Sequence, residues 1–339
     1  MKRLIPLLLI AVLWLGGCAG SAPVTLGDYK GLTLTMDKAV VTDYDLTLAS
    51  NKKLLANGYA ETENGIKLTE GTVQIGDTVQ LTYDGTVDGK AFEGGNGTGY
   101  YVIGDGRLIP GFEQGLIGAQ LGKETTLELT FPRAYSDDAL AGKEVTFKVT
   151  VQTIIARIRY APLTEEIARS LGFESLEDYR QNLYNEVQTA LTEKAEQEKT
   201  ALLWAQVLKN STFEEELPEE LLETATNDWT RRYTAAANQL GYDTIAEYLT
   251  ANSLGDYDTL LEQETRATVH NLLAARAIAE AEGFELTDAV LEEKGAAYAK
   301  EAGYPSAEKY INDLGESMLE YQILLDYAQG VVVENAIIK

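Results

Sequence analysis

The pattern of this chain predicts an α+β fold: an antiparallel sheet wrapping one short helix near the middle, then an all-α region to the C-terminus. Three observations carry that expectation. Val79, Leu81 and Tyr83, then Leu127, Leu129 and Phe131, then Val145, Phe147, Val149 and Val151 alternate with polar residues. A period of two marks a strand with one packed face. Asp88-Gly89, between Val87 and Lys90, is the dipeptide of a two-residue hairpin. From about residue 156 onward, apolar residues recur at spacings of three and four, the period of a helix.

The elements follow in order. Lys2-Arg3 is a basic leader, Leu4 to Leu15 is an apolar stretch, and Leu15-Gly16-Gly17-Cys18 looks like a bacterial lipobox. Residues 1–17 are therefore expected to be a lipoprotein signal peptide, with lipid (palmitate) on Cys18 as the new N-terminus. Residues 18–28 are small and polar and read as a tether. Residues 29–70 form a connecting segment with one helix from about Asp43 to Asn57, capped by Thr42 and stopped by Gly58. Residues 71–155 hold the strands, with Pro110-Gly111 punctuating a short helix near Phe112. Residues 156–339 are helical: Pro218 opens one helix, Asp256 to Glu282 is another, Thr287 caps a third, and Glu316 to Gln329 forms the last long one.

A corner motif recurs in the helical part. Leu171-Gly172-Phe173-Glu174-Ser175 with Tyr179, Leu240-Gly241-Tyr242-Asp243-Thr244 with Tyr248, and Ala302-Gly303-Tyr304-Pro305-Ser306 with Tyr310 each read as a glycine stop, an aromatic plug and a new cap. The separations, 69 and 62 residues, are unequal, so reused corner chemistry is favoured over a solenoid. Trp204 and Trp229 sit on apolar helix stripes and read as core, and His270 as a packed or surface side chain.

Composition narrows the function. The formal net charge is −25, and 35 acidic against 15 basic residues follow position 156. Such a chain repels nucleic acid and anionic membrane faces. Cys18 is the one cysteine, so no disulfide forms within the chain.

The densest constellation lies in residues 73–151. It comprises Tyr83-Asp84-Gly85, Asp88-Gly89 with Phe92-Glu93-Gly94-Gly95, Gly104-Asp105-Gly106-Arg107-Leu108-Ile109-Pro110-Gly111-Phe112-Glu113, and Phe131-Pro132-Arg133-Ala134-Tyr135. Aromatic and branched residues dominate it, with no nucleophile and no metal ligands, so neither cofactor nor metal is expected. In order and spacing these pieces resemble an FKBP-type peptidyl-prolyl isomerase domain, most of all the version inside trigger factor. The resemblance implies a pocket formed by Tyr83, Phe92, Glu93, Tyr101, Leu108, Ile109, Phe112, Tyr135 and Phe147. It makes Phe112 the floor, gives the Ile109 N–H the substrate carbonyl, and places Glu93 beside the twisting bond. The family usually carries an aromatic where this chain has Gly99, with Tyr100 next to it as the expected substitute. The run Gly94-Gly95-Asn96-Gly97-Thr98-Gly99 lacks a Lys-Ser/Thr ending and is expected to be a flexible hairpin loop rather than a phosphate loop.

Residues 156–339 resemble the C-terminal chaperone domain of trigger factor, including the Leu217-Pro218 helix start and the late Val331-Val332-Val333-Glu334 segment. The family's basic ribosome-binding domain has no counterpart expected here, since the lipobox stands in its place. The lipobox and the resemblance together imply a lipid-anchored foldase on the extracytoplasmic face of the cell membrane. It would isomerise X–Pro bonds in unfolded or nascent exported polypeptides and hold them, without nucleic acid. The alternative is a catalytically weak FKBP-like fold acting as a polypeptide-binding holdase, which Gly99 would favour.

Overall fold

The computed structural model describes residues 23–339 apart from 37, 134, 136, 138 and 253. The expected signal peptide and Cys18 lie outside the described residues. Two short strands, β1 (Val24–Thr25) and β2 (Thr33–Leu34), precede α1 (Asp43–Ala56). Then come β3 (Ala60–Leu68), β4 (Asp77–Val87), β5 (Lys90–Val102), α2 (Phe112–Leu116), β6 (Glu124–Thr130) and β7 (Glu144–Tyr160). The helices α3 (Glu165–Ser170) and α4 (Leu176–Asn210) lead through β8 (Thr212–Phe213) to α5 (Glu219–Gln239), α6 (Ile245–Ala251) and α7 (Tyr257–Ala281). The chain closes with α8 (Asp288–Glu301), α9 (Ala307–Leu314), α10 (Glu316–Glu334) and β9 (Ile337–Ile338). The architecture is thus α+β, with an antiparallel sheet followed by helices, as the patterning predicted. The described residues divide into two compact units, one of residues 33–203 with 338–339 and one of residues 23–32 with 204–337.

In the first unit the five-stranded sheet runs β3-β7-β4-β5, with β6 also pairing β7. The 17-residue β7 organises it. One edge of β7 pairs β4 from Thr146 to Arg157; the other pairs β6 over Glu144–Thr150 and then β3 over Ile154–Tyr160. The sheet therefore extends past residues 71–155 in both directions, because β3 supplies a further edge and β7 runs on to Tyr160. The β4–β5 hairpin closes through Asp88 and Gly89, both at positive φ (51° and 71°), the geometry of the tight turn that Asp-Gly favours. The alternating residues meet as designed: Val79, Leu81, Leu127, Val145, Phe147, Val149 and Val151 are buried together with Phe112 and Leu116 of α2. At the sheet's far end Asp77, fully buried, takes a bidentate ion pair from Arg157 (2.5 and 2.8 Å) and also accepts the Gln74 N–H.

Helix α1 begins where Thr42 and Asp45 form a reciprocal capping box, and ends at Asn57 before Gly58 (φ 77°). Its Leu46 and Ala49 pack against buried Ala168, Tyr179 and Leu183, and Ser50 hydrogen-bonds the Tyr179 hydroxyl (3.0 Å).

The corner motif is real and local. After α3, α5 and α8 the residue following the glycine bonds back to a carbonyl five residues earlier: Phe173 to Ala168, Tyr242 to Ala237, Tyr304 to Ala299. Gly172, Gly241 and Gly303 take positive φ (92°, 81° and 72°). This is the Schellman stop. The plug then meets the aromatic six positions on, with ring centroids 5.1, 5.8 and 5.2 Å apart. A fourth corner escaped the sequence reading. Phe284 bonds back to Ala279 after Gly283, but position 290, six residues on, is Val, and Phe284 stacks on Tyr327 instead (4.0 Å).

In the second unit α7 packs against α5 and α10. Trp229 is buried and stacks on Tyr233 (4.3 Å), and Trp204 is buried with its indole N–H on Asn271. Toward the end of α5 Ala237 is buried, while Leu240, its C-cap, is 60% exposed. His270 stacks on Phe213 at 4.1 Å. Among the described residues no helix is long and apolar enough to cross a membrane.

Candidate functional site

The site is built where β4, β5 and β7 face α2. Tyr83 of β4 meets three rings edge-on: Tyr101 at 6.4 Å, Phe112 at 6.4 Å and Phe147 at 6.1 Å. Phe112 and Phe147 touch at 5.2 Å, and Phe92 stands 6.3 Å from Phe147. Leu108, Ile109 and Tyr135 are half-buried against the same core. Eight of the nine expected residues thus come together. Edge-to-face rings of this kind hold one another's orientation. Glu93 alone is exposed on β5, and it makes no hydrogen bond or ion pair among the described residues. Phe131, not among the nine, bridges Phe92 (5.7 Å) and Tyr135 (4.7 Å) from full burial. The Phe131-Pro132 pair was its available signal.

What lets the rings lie so close is glycine. The Gly94–Gly99 run is not a flexible loop: it is the middle of β5, with residues 96–99 paired to β4 and Gly94-Gly95 in the register shift just before them. Gly95, Gly97 and Gly99 alternate on one face, and each lies under a ring. A Cβ at Gly95 would come within 2.9 Å of the Phe92 ring, at Gly97 within 2.9 Å of the Tyr83 hydroxyl, and at Gly99 within 2.8 Å of Tyr101 Cε2. Gly85 of β4 plays the same part for Phe147, whose ring a Cβ there would overlap. Tyr83 is directly opposite Gly97, and Phe147 directly opposite Gly85, so each ring covers its cross-strand partner. The period of two in the glycines was legible, but the run's composition suggested a loop. Tyr100 does not stand in for an aromatic at position 99. Side chains alternate along a strand, and Tyr100 is 64% exposed on the other face.

The electrostatics are sparse. Burial, with the Tyr83 hydroxyl next, pushes the Tyr101 phenol up to about 12, so the Tyr101 hydroxyl stays protonated at neutral pH. The Ile109 N–H has no acceptor among the described residues, while its carbonyl accepts the Phe112 N–H at 3.1 Å. The arrangement offers an apolar, ring-lined surface, one unclaimed backbone donor and no nucleophile.

Comparison with known proteins bears on both regions. FKBP-type peptidyl-prolyl cis-trans isomerases match residues 69–152, and the bacterial trigger factor C-terminus matches residues 175–335. Trigger factor 1 of Desulfitobacterium hafniense is 37% identical over 272 residues, 78% of this chain and 61% of that one. Trigger factor of Acetivibrio thermocellus is 29% identical over 322 residues, 92% of this chain and 72% of the relative. A solved structure of the trigger factor chaperone covers 92% of this chain and 72% of its own, at 17% identity and a TM-score of 0.34. The chain spans 61% of the length of the first of these relatives.

Proposed function

From a trigger factor-like chain with an FKBP-type domain and a trigger factor C-terminal domain, we propose a peptidyl-prolyl cis-trans isomerase that also holds unfolded polypeptides. The observation that carries this reading is the ring-lined surface beside the unclaimed Ile109 N–H. An X–Pro amide is planar because resonance gives its C–N bond double-bond character, and rotation costs about 18–20 kcal/mol. The twisted amide has lost that resonance and is less polar than the ground state. An apolar, water-poor surface favours it. Here the prolyl ring would rest on Phe112, with Tyr83, Phe92, Tyr101 and Phe147 as walls and Leu108 and Tyr135 at the rim. The Ile109 N–H would fix the substrate carbonyl while the bond turns. Glu93 has no assigned step; its exposure limits it to the mouth.

The helical domain would hold the client and raise its local concentration at the isomerase, which gains rate without new contacts at the reacting bond. The reading includes export: the Leu15-Gly16-Gly17-Cys18 sequence supports lipid attachment at Cys18 and work on exported polypeptides outside the cytoplasmic membrane. Isomerisation of X–Pro tetrapeptides tests the enzyme. An inactive wild-type chain that still suppresses aggregation would leave the holdase alone. Membrane fractionation of Cys18→Ser tests the anchor, and unchanged membrane association in that variant would remove it.

A further inference from the structure

Glu113 follows the floor residue Phe112 in α2 and is 5% exposed. Among the described residues its carboxylate has no cationic partner. Its partners are backbone amides of one short turn. Gly104 N–H donates to one oxygen at 2.7 Å, Gly106 N–H to both at 3.1 and 3.3 Å, and Leu108 N–H reaches it at 3.5 Å. Gly104 and Gly106 take positive φ (104° and 76°), which curls the alternate amides inward. Hydrogen bonds to a charged, buried acceptor are the strong kind. The next amide in the chain, that of Ile109, is the one left unclaimed.

The back of this turn is covered by a helix outside the 69–152 match. Leu48 of α1 lies so close to Gly104 that a Cβ there would sit 3.0 Å from Leu48 Cδ1, with Ile75 at 3.1 Å on the other side. Tyr44, one turn earlier, is near enough to feel the Glu113 charge. Burial first, and that charge second, push its phenol up to about 12.

We propose that Glu113, covered by Leu48 and Tyr44 of α1, is the positioning residue of the site: by gathering the amides of Gly104, Gly106 and Leu108 it aims the Ile109 N–H at the substrate carbonyl. This rests on the isomerase reading. It makes α1 part of the site without touching substrate. A glutamine at position 113 would keep one acceptor oxygen and present an NH2 group to amides that also donate, so the turn would open.

The test uses the full chain with Glu113→Gln, Leu48→Ala and Leu48→Met. Amide hydrogen exchange at Gly104, Gly106 and Ile109 is followed beside kcat and KM on an X–Pro tetrapeptide. Glu113→Gln should speed exchange at Gly104 and Gly106 by about tenfold, the loss of roughly one charged hydrogen bond. Amides of β4 and β7 should keep their protection. Turnover, kcat, should fall about tenfold with KM nearly unchanged, because a misaimed donor weakens the twisted state more than the bound ground state. Leu48→Ala should do the same to a lesser degree and Leu48→Met should restore it. Unchanged exchange in Glu113→Gln, or faster exchange with full kcat, overturns the proposal. If Glu113→Gln does not fold, the Leu48 pair decides by the same readouts. A wild-type chain without isomerase activity defeats the isomerase reading instead, and the exchange data then still show whether Glu113 and α1 hold the turn.

Discussion

Both regions of this protein are rich in aromatic rings, but they assemble them in opposite ways. In the sheet unit, Tyr83, Phe92, Phe112 and Phe147 come from four elements and up to 64 positions apart in sequence, and strand pairing together with the packing of α2 brings them together. In the helical corners the paired rings are six residues apart, and a glycine stop with its backbone bonds places them. The long-range cluster leaves rings half-exposed beside an unclaimed amide, which is what a site needs. The local pairs mainly turn the chain. Aromatic content alone therefore says nothing of function; the range over which rings are gathered does.

The comparison breaks most severely at the residue that locks the sheet. Asp77→Ala would leave the Arg157 guanidinium buried without its carboxylate and free the Gln74 N–H, at a cost of about 3–5 kcal/mol. Denaturant unfolding followed by tyrosine fluorescence or NMR should show the sheet unit melting early. Trp204 and Trp229, the only tryptophans among the described residues, lie in the other unit and should report an unaltered transition. A joint shift of both would mean that the units do not unfold independently.

The glycines under the rings come next. Gly85→Ala should cost about 1–3 kcal/mol by overpacking against Phe147 and the Gly95 carbonyl. Gly99→Ala should cost less but push the Tyr101 ring aside, lowering kcat/KM on a proline peptide more than its stability change accounts for. Equal activity with a shifted Tyr101 ring would show that this wall is dispensable.

The corners should behave alike if their chemistry is local. Ala at Gly172, Gly241 or Gly303 meets open space, so the penalty is the left-handed backbone alone, about 1 kcal/mol each. Three closely matching losses in thermal melts would support a reused local device. A much larger loss at one corner would mean that its ring pair has been drafted into tertiary packing, as buried Tyr179 suggests for the first.

The smallest effect concerns pH. Burial against Phe213, and secondarily the Arg266 charge, hold the His270 imidazole below its ordinary value of 6.5. The unfolded chain then takes up the proton more readily than the folded one. Stability is full above about 6.5 and falls as pH drops through the lowered value. Since His270 is the sole histidine, its ring proton resonances should titrate below 6.5, and His270→Phe should flatten that part of the stability profile. A midpoint at or above 6.5 would contradict the burial argument.

The amino-acid sequence by itself determined whatever depends on neighbours in the chain. Thr42 with Asp45, Asp88-Gly89, the glycine stops and the alternating valines each act within a few residues, so the α+β order, the α1 boundaries, the hairpin turn and three of four corners could be read directly. The eight candidate residues that cluster were named through the order of a motif rather than through any contact. Tertiary structure alone decided the rest. Cross-strand register turned a glycine run into the floor beneath Tyr83 and Tyr101, and put Tyr100 on the wrong face to replace an aromatic at position 99. The long β7 drew Ala60–Leu68 into the sheet. The curl of residues 104–108 around Glu113, beneath α1, joined segments about 60 residues apart. Sequence patterns report each residue's own preference, whereas a close approach of rings, glycines and a buried carboxylate is a property of pairs, and pairs that distant are chosen only when the sheet closes.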